Sequence, residues 1–259
     1  MNGDRMAKQV YLTIDDGPSN DFRDKIDFLY ERNIHAILFC IGENIKRYQE
    51  DVVYAISKGF LIGSHSYIHK HFSDLSIDEG KESIKMTDDI INETYKMAGI
   101  ERPLKVFRFP HFDLGGDNSG DDYESKWSKP QSEWFLYPRD DRKKAFQEFL
   151  KELGYVQPLF KCVNSEYLDD KTMFDLVDVR CTFDQMEYFL GIDNAPYGMD
   201  KEEAILGRID EDFPYAGRAL NCLNTSDIIL IHDHEKTIEL FYKIINKYIE
   251  KNFKFLKIV

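Results

Sequence analysis

Three observations on this 259-residue chain predict an α/β fold built on parallel strands. Strand-length apolar runs alternate with longer amphipathic stretches. The apolar share of 42% is enough for one ordinary core. Chemistry-bearing polar residues gather just beyond the C-terminal ends of the runs. Strand–helix alternation implies parallel strands with helical crossovers, arranged as a barrel or as a doubly wound sheet. The length suits a single domain spanning 1–259.

Residues 9–14 form the first buried strand, and 21–31 an amphipathic helix after a polar turn. A second strand is expected at 34–40, a helix at 43–57 and a short third strand at 60–63. Ser76 caps a long helix that reaches about Met97 and stops at Gly99. A fourth strand follows at 105–108. From 113 to about 140 the pattern breaks into an inserted loop rich in Gly, Asp, Ser and Pro that carries Tyr123, Trp127, Trp134 and Phe135. A loop of that length is usually functional or disordered, and the aromatics argue against simple disorder. Regularity returns with a helix at 142–153, strands at 155–160 and 175–183, a short helix at 201–212, a buried strand at 227–231 and a last helix at 236–251.

Composition excludes several functions. A formal charge of −13 disfavours nucleic acid and anionic membranes, both of which need a positive field. The longest apolar runs are strand-length, so no transmembrane segment is expected. The first residues pass into a strand without an apolar signal region, which predicts a cytoplasmic location. Cys40, Cys162, Cys181 and Cys222 lie far apart with no C-x-x-C pair, as free thiols of a reducing compartment do. Oligomeric state is not legible in the pattern.

Three segments carry the chemistry. Asp15 and Asp16 are adjacent carboxylates before Gly17 and Pro18. His65 and His69 are imidazoles four residues apart. Arg108 stands beside Pro110. Asp16, His65 and His69 make a two-histidine, one-carboxylate set that suits one divalent ion, best Zn²⁺, with Co²⁺, Ni²⁺ or Fe²⁺ also accepted. Three protein ligands leave a position for water, whose pKa such an ion lowers to about 7. Asp15 remains as a base and Arg108 as the cation that holds it ionised, an inventory for metal-assisted hydrolysis. His71 competes as a ligand. Asp15, Asp16, His65, Arg108 and His232 all fall at expected strand ends, the rim where active sites of such folds are built.

These segments resemble the NodB-homology domain of polysaccharide deacetylases, carbohydrate esterase family 4. That family shows a T-F-D-D-G segment, an H-S/T-x-x-H segment and an R-x-P-Y-type segment in this order. Here Ile14 replaces Phe in the first, the second matches in full from His65 to His69, and His111 stands where the third usually has an aromatic. Residues 36–42 and 229–233 resemble the family's second strand and last motif. The resemblance implies a distorted (β/α) barrel of about seven strands. It also implies Asp16, His65 and His69 as metal ligands, Asp15 as the general base, Arg108 as its orienting partner and His232 as the general acid, with His234 as a rival. The backbone N–H of His111, beside Pro110, would stabilise the oxyanion, and Leu230 would face the acyl methyl.

The acid's carboxylate partner normally comes from a D-x-x-D-W segment that this chain lacks. Asp184 is the substitute expected, with Asp178 as runner-up. Trp127, Trp134 and Tyr123 are candidates for stacking on a sugar. The implied function is removal of an N-acyl group, N-acetyl first, from an N-acylated sugar or oligosaccharide. The alternatives are a deformylase, a hydrolase of a small non-sugar amide, and a non-catalytic glycan-binding module.

Overall fold

In the computed structural model the described residues are 7–115, 141–163, 176–212, 214 and 218–258. The chain opens with β1 (Lys8–Asp15), α1 (Phe22–Glu31) and β2 (Ala36–Cys40), all within a residue or two of the sequence expectation. The helix expected at 43–57 is two helices, α2 (Gly42–Arg47) and α3 (Gln49–Ser57), because Tyr48 leaves helical geometry at φ −122°, ψ 38°. β3 (Leu61–Ser64) follows. The long α4 (Ile77–Met97) starts in a full capping box, with Ser76 and Glu79 each bonding the other's backbone N–H.

After the expected insertion come α5 (Asp141–Glu152), β4 (Phe183–Asp184) and α6 (Glu202–Gly207), then β5 (Asp227–His232), α7 (Ile238–Glu250) and β6 (Phe253–Phe255). Residues 116–140, including Tyr123, Trp127 and Trp134, lie outside the described residues.

The six strands form one parallel sheet in the order β3-β2-β1-β5-β4, with β6 also pairing to the start of β1. Beyond β3 it continues through isolated backbone bonds. Ser64 N–H reaches Val106 O at 2.9 Å, Arg108 N–H reaches Ser64 O at 3.0 Å, and Val179 N–H reaches Phe107 O at 2.7 Å. Thr182 N–H then bonds Ile228 O at 2.8 Å and so returns to β5. The sheet thereby curls around an interior that includes Tyr11, Ile37, Phe39, Val179, Cys181, Ile228 and Leu230. The helices pack outside on a larger cluster, with α7 contributing Leu240, Phe241, Ile244 and Ile245.

Three expected strands differ. At 105–108 only one bridge, Ser64 with Phe107, is formed. Residues 155–160 are irregular, as Pro158 cannot donate to a ladder. Of the described residues 176–183, only the last joins a strand, since Val179 and Thr182 bond different neighbours rather than one partner. β6 escaped the sequence reading because three residues are too few to show a period.

Candidate active site

The site lies at the C-terminal edge of the sheet, where β1, β2, β3 and β5 release their chains. The turn after β1 is forced: Asp16 sits at φ 70°, a left-handed conformation costly for a non-glycine residue. Gly17 must lack a side chain, because a Cβ there would stand 2.8 Å from Asp233 Oδ2. Three backbone bonds lash the neighbouring loops together. They are Ile41 N–H to Gly17 O (2.8 Å), His65 N–H to Cys40 O (2.9 Å) and Gly42 N–H to Ser66 O (2.9 Å). Asn44 Nδ2 donates to Asp16 O at 3.0 Å. Asp233 anchors the far side, accepting from Ser19 N–H (2.8 Å), Ser19 Oγ (2.7 Å) and Lys25 Nζ (2.5 Å).

Asp16, His65 and His69 converge. Asp16 Oδ1 is 3.4 Å from His65 Nε2 and 3.1 Å from His69 Nε2. That oxygen is buried yet accepts no hydrogen bond among the described residues, which is costly unless a cation satisfies it. His65 Nδ1 is 2.8 Å from the Arg108 carbonyl oxygen. A carbonyl only accepts, so Nδ1 carries a proton and Nε2 is the ring atom turned toward Asp16. Burial pushes the His69 imidazole down to about 4, so that ring is neutral at pH 7. Burial opposes the charge on Asp16, but His234, His65, His69 and His232 outweigh it and hold the carboxyl well below its usual range. An orphaned carboxylate oxygen facing two imidazole nitrogens fits a divalent metal ion, which those nitrogens and one oxygen would hold.

Asp15 is almost fully buried and pairs with Arg108, Oδ1 to Nη1 at 2.7 Å. Arg108 is wholly buried and held by further donations to Thr13 Oγ1 (2.9 Å) and Val179 O (3.0 Å). The other Asp15 oxygen stands 3.8 Å from His65 Nε2, so it faces the donor trio. Parallel register sets Asp15 opposite His232 across the β1–β5 pair. Base, ligand set and acid candidate therefore share one rim.

His232 corrects the reading of its partner. Its Nδ1 lies 3.2 Å from Glu187 Oε1, and its backbone N–H donates to the same oxygen. Asp184 instead registers with Leu230, two residues before His232, and accepts from Met186 N–H at 2.9 Å. Its carboxylate lies beside His232 and Glu187 without bonding the ring, all three within 4.8 Å of one another. Met186, left-handed at φ 60°, turns the chain so that Glu187 rather than Asp184 meets the imidazole. Burial opposes charge on His232, but Glu187, with Asp16 and Asp184, more than offsets it and raises the ring to about 10. Burial also pushes Asp184 up to about 6. The runner-up Asp178 is spent elsewhere, 2.7 Å from Arg180 Nε and accepting from Gln147 at 2.8 Å.

The other candidates also find places. His234 Nε2 donates to Asp16 Oδ2 at 2.8 Å, so it supports the ligand rather than rivalling His232. His71 stands off the donor trio, with Nδ1 3.4 Å from Asp113 Oδ2 and its ring stacked on His111 at 3.9 Å. Pro110 and His111 lie on a short 3₁₀ turn, His111 at φ 56° and 4.2 Å from the His69 ring, centroid to centroid. Leu230 is buried in the cluster on the inner side of the sheet, two residues before His232. Sequence reasoning missed Glu187 and the role of His234. For the second a signal was available: His232 and His234 stand two apart on extended chain, a spacing that turns both imidazoles to one face. Glu187 gave no comparable signal, since it lies on a short 3₁₀ turn outside any strand register.

Comparison with known proteins agrees with this geometry. Residues 2–117 match the polysaccharide deacetylase family. The chain is 36% identical over 92 residues to a peptidoglycan-N-acetylglucosamine deacetylase of Bacillus cereus, covering 35% of this chain and 32% of that protein. It is 33% identical over 144 residues to the peptidoglycan-N-acetylmuramic acid deacetylase PdaC of Bacillus subtilis, covering 54% and 29%. This chain thus spans about a third of the length of such relatives. The solved PdaC structure superposes with a TM-score of 0.57 at 19% identity, covering 96% of this chain and 87% of that one. A carbohydrate esterase family 4 pseudoenzyme from Bacillus anthracis also superposes at 0.57 and 16% identity, covering 96% and 63%. Among the described residues no helix is long and apolar enough to cross a membrane. Residues 2–117 thus match the polysaccharide deacetylase family, and the fold across the chain is similar to that of solved carbohydrate esterase family 4 structures.

Proposed function

We propose that this protein is a metal-dependent hydrolase that removes the N-acetyl group from an amino sugar within a glycan. One observation carries the reading: Asp15, held by buried Arg108, stands across the β1–β5 register from His232 and beside the Asp16, His65 and His69 trio. A glycan-binding module has no use for a buried, arginine-held carboxylate next to a donor trio. The named relatives act on peptidoglycan amino sugars, which supplies the substrate class.

In this reading Asp16, His65 and His69 hold the ion, which supplies Lewis acidity toward the acyl oxygen when bound. Zinc is our choice for it, as two neutral imidazoles and one carboxylate suit that ion. Asp15 accepts a proton from the attacking water as the new C–O bond forms at the acyl carbon. Arg108 is a positioning residue that keeps Asp15 ionised and aimed. The backbone N–H of His111 helps stabilise the oxyanion, and Leu230 receives the acyl methyl. His232 donates its proton to the leaving nitrogen as the C–N bond breaks, which yields a free amine and acetate. Glu187 keeps that imidazole charged and oriented. A cytoplasmic setting is part of the proposal, supported by four free thiols.

The test is to measure metal content after loading with Zn²⁺, then acetate release from N-acetylated chito-oligosaccharides and from peptide-free peptidoglycan strands. We expect one ion per chain and release that stops in chelator. An ion bound elsewhere, or no acetate from any glycan, would overturn the reading.

A further inference from the structure

A cleft of about 830 Å³ opens from the site, and its lining runs from Asp16 and His69 past Arg47 and Tyr48 to Tyr188 and Glu235. Arg47 is the arginine of that lining. It ends α2, three residues after Asn44, whose side chain clasps the Asp16 carbonyl. Residues three apart share a helix face, about 4.5 Å along the axis. The guanidinium therefore starts one turn from the clasp that holds the candidate metal ligand.

Among the described residues, its lack of an ion-pair partner is informative. The chain is strongly acidic, with Glu43 one turn back and Glu50 and Asp51 just past the Tyr48 kink. None of these pairs with Arg47, and among the described residues no carboxylate lies within ion-pair distance of it. Asp51 is taken by Arg23 at 2.7 Å. The nearby cleft acids differ in standing. Asp233 is paired with Lys25 and hydrogen-bonded by Ser19, while Glu235, like Arg47 itself, is exposed. Arginine's planar fork matches a carboxylate or a phosphate. An arginine with no ion-pair partner among the described residues, in one cleft with Tyr48 and with Asp16 and His69 of the donor trio, reads as the recognition element for a charged sugar.

We propose that Arg47 binds an anionic substituent, carboxylate or phosphate, on the amino sugar at this site, so that the preferred substrates are acidic rather than neutral glycans. This rests on the deacetylase reading and narrows it. The test compares metal-loaded wild type with Arg47→Ala, Arg47→Lys and Arg47→Glu on three probes: chitotetraose, 6-phosphorylated chitotetraose, and a peptide-free glycan strand with free muramic carboxylates. Both kcat/KM for acetate release and Kd by titration calorimetry are read.

Wild type should favour at least one anionic probe over the neutral one by tenfold or more, and the arm with the larger ratio identifies the anion. Arg47→Ala should lower that ratio by roughly 10- to 100-fold, as expected for a lost charge-assisted hydrogen bond. Arg47→Lys should recover part of it, and Arg47→Glu should favour the neutral glycan. A wild-type ratio near one, or a ratio unchanged in Arg47→Ala, would overturn the proposal. Acidic probes that bind through Arg47 without acetate release would sustain it and sink the deacetylase reading instead.

Discussion

Replacing Glu187 by glutamine tests the acid assignment most sharply. Glutamine keeps the shape and an Oε1 that still accepts from the His232 backbone N–H, so the turn at Met186 should survive. Only the charge is lost. Raising the ring from 6.5 to about 10 corresponds to roughly 5 kcal/mol of preference for the imidazolium. Burial works against that preference, so the neighbouring carboxylates must supply all of it, Glu187 first. Removing one opposite charge at this range moves a pKa by about 1–3 units. Loss of a negative neighbour disfavours the charged ring, so its pKa falls. The alkaline limb of kcat against pH, which marks loss of the His232 proton, should move down by that amount. A cation at Asp16 repels the imidazolium and draws the limb of the loaded enzyme below 10. Wild type and variant share that effect, so their difference is unaffected. The assay is acetate release from chitotetraose across pH 6–11, with Asp184→Asn alongside. Asp184 does not bond the ring and should move the limb less. An unmoved limb in Glu187→Gln, or a larger movement in Asp184→Asn, would refute the argument.

Three further outcomes follow from the same geometry. Asp15→Asn should keep the metal and lose about 10²- to 10⁴-fold in turnover, whereas Asp16→Asn should lose the metal, as read by metal analysis and kinetics on each variant; the reverse result would mean the adjacent carboxylates are assigned wrongly. His234→Ala frees Asp16 Oδ2 and should weaken metal affinity by about 10- to 100-fold without unfolding the chain, as measured by competition with a chelating dye. Arg108→Met strands the buried Asp15 carboxylate and should cost about 3–5 kcal/mol in a urea unfolding curve; a loss under about 1 kcal/mol would mean the pair is far more hydrated than its burial implies.

The ease of reading differed along the chain for physical reasons. β1, β2 and β5 are buried on both faces, so each is a short continuous apolar run that composition alone exposes. α4 announces itself through Ser76 and Glu79, a local reciprocal cap that needs no tertiary partner. The thin side of the sheet is different. Phe107 and Val179 are buried like strand residues, yet each makes an isolated contact, and a ladder is a property of two segments rather than one. The kink at Tyr48 was equally hidden, because α2 and α3 share one amphipathic rhythm.

The site divides along the same line. Asp15, Asp16, His65 and His69 are reached by short turns directly off strands, so their meeting follows from parallel register and adjacent strand ends. Glu187 depends on one left-handed residue, Met186, which no propensity favours in that conformation. Had Met186 stayed extended, period-two alternation from Asp184 would have aimed Met186 at the rim and Glu187 away from it. The backbone bond from His232 N–H to Glu187 compensates for that strain, since it ties the turn to the strand it serves. The carboxylate that sustains the acid is therefore set by a turn rather than by strand register, and a turn can move it along the chain while the ligand set stays in place.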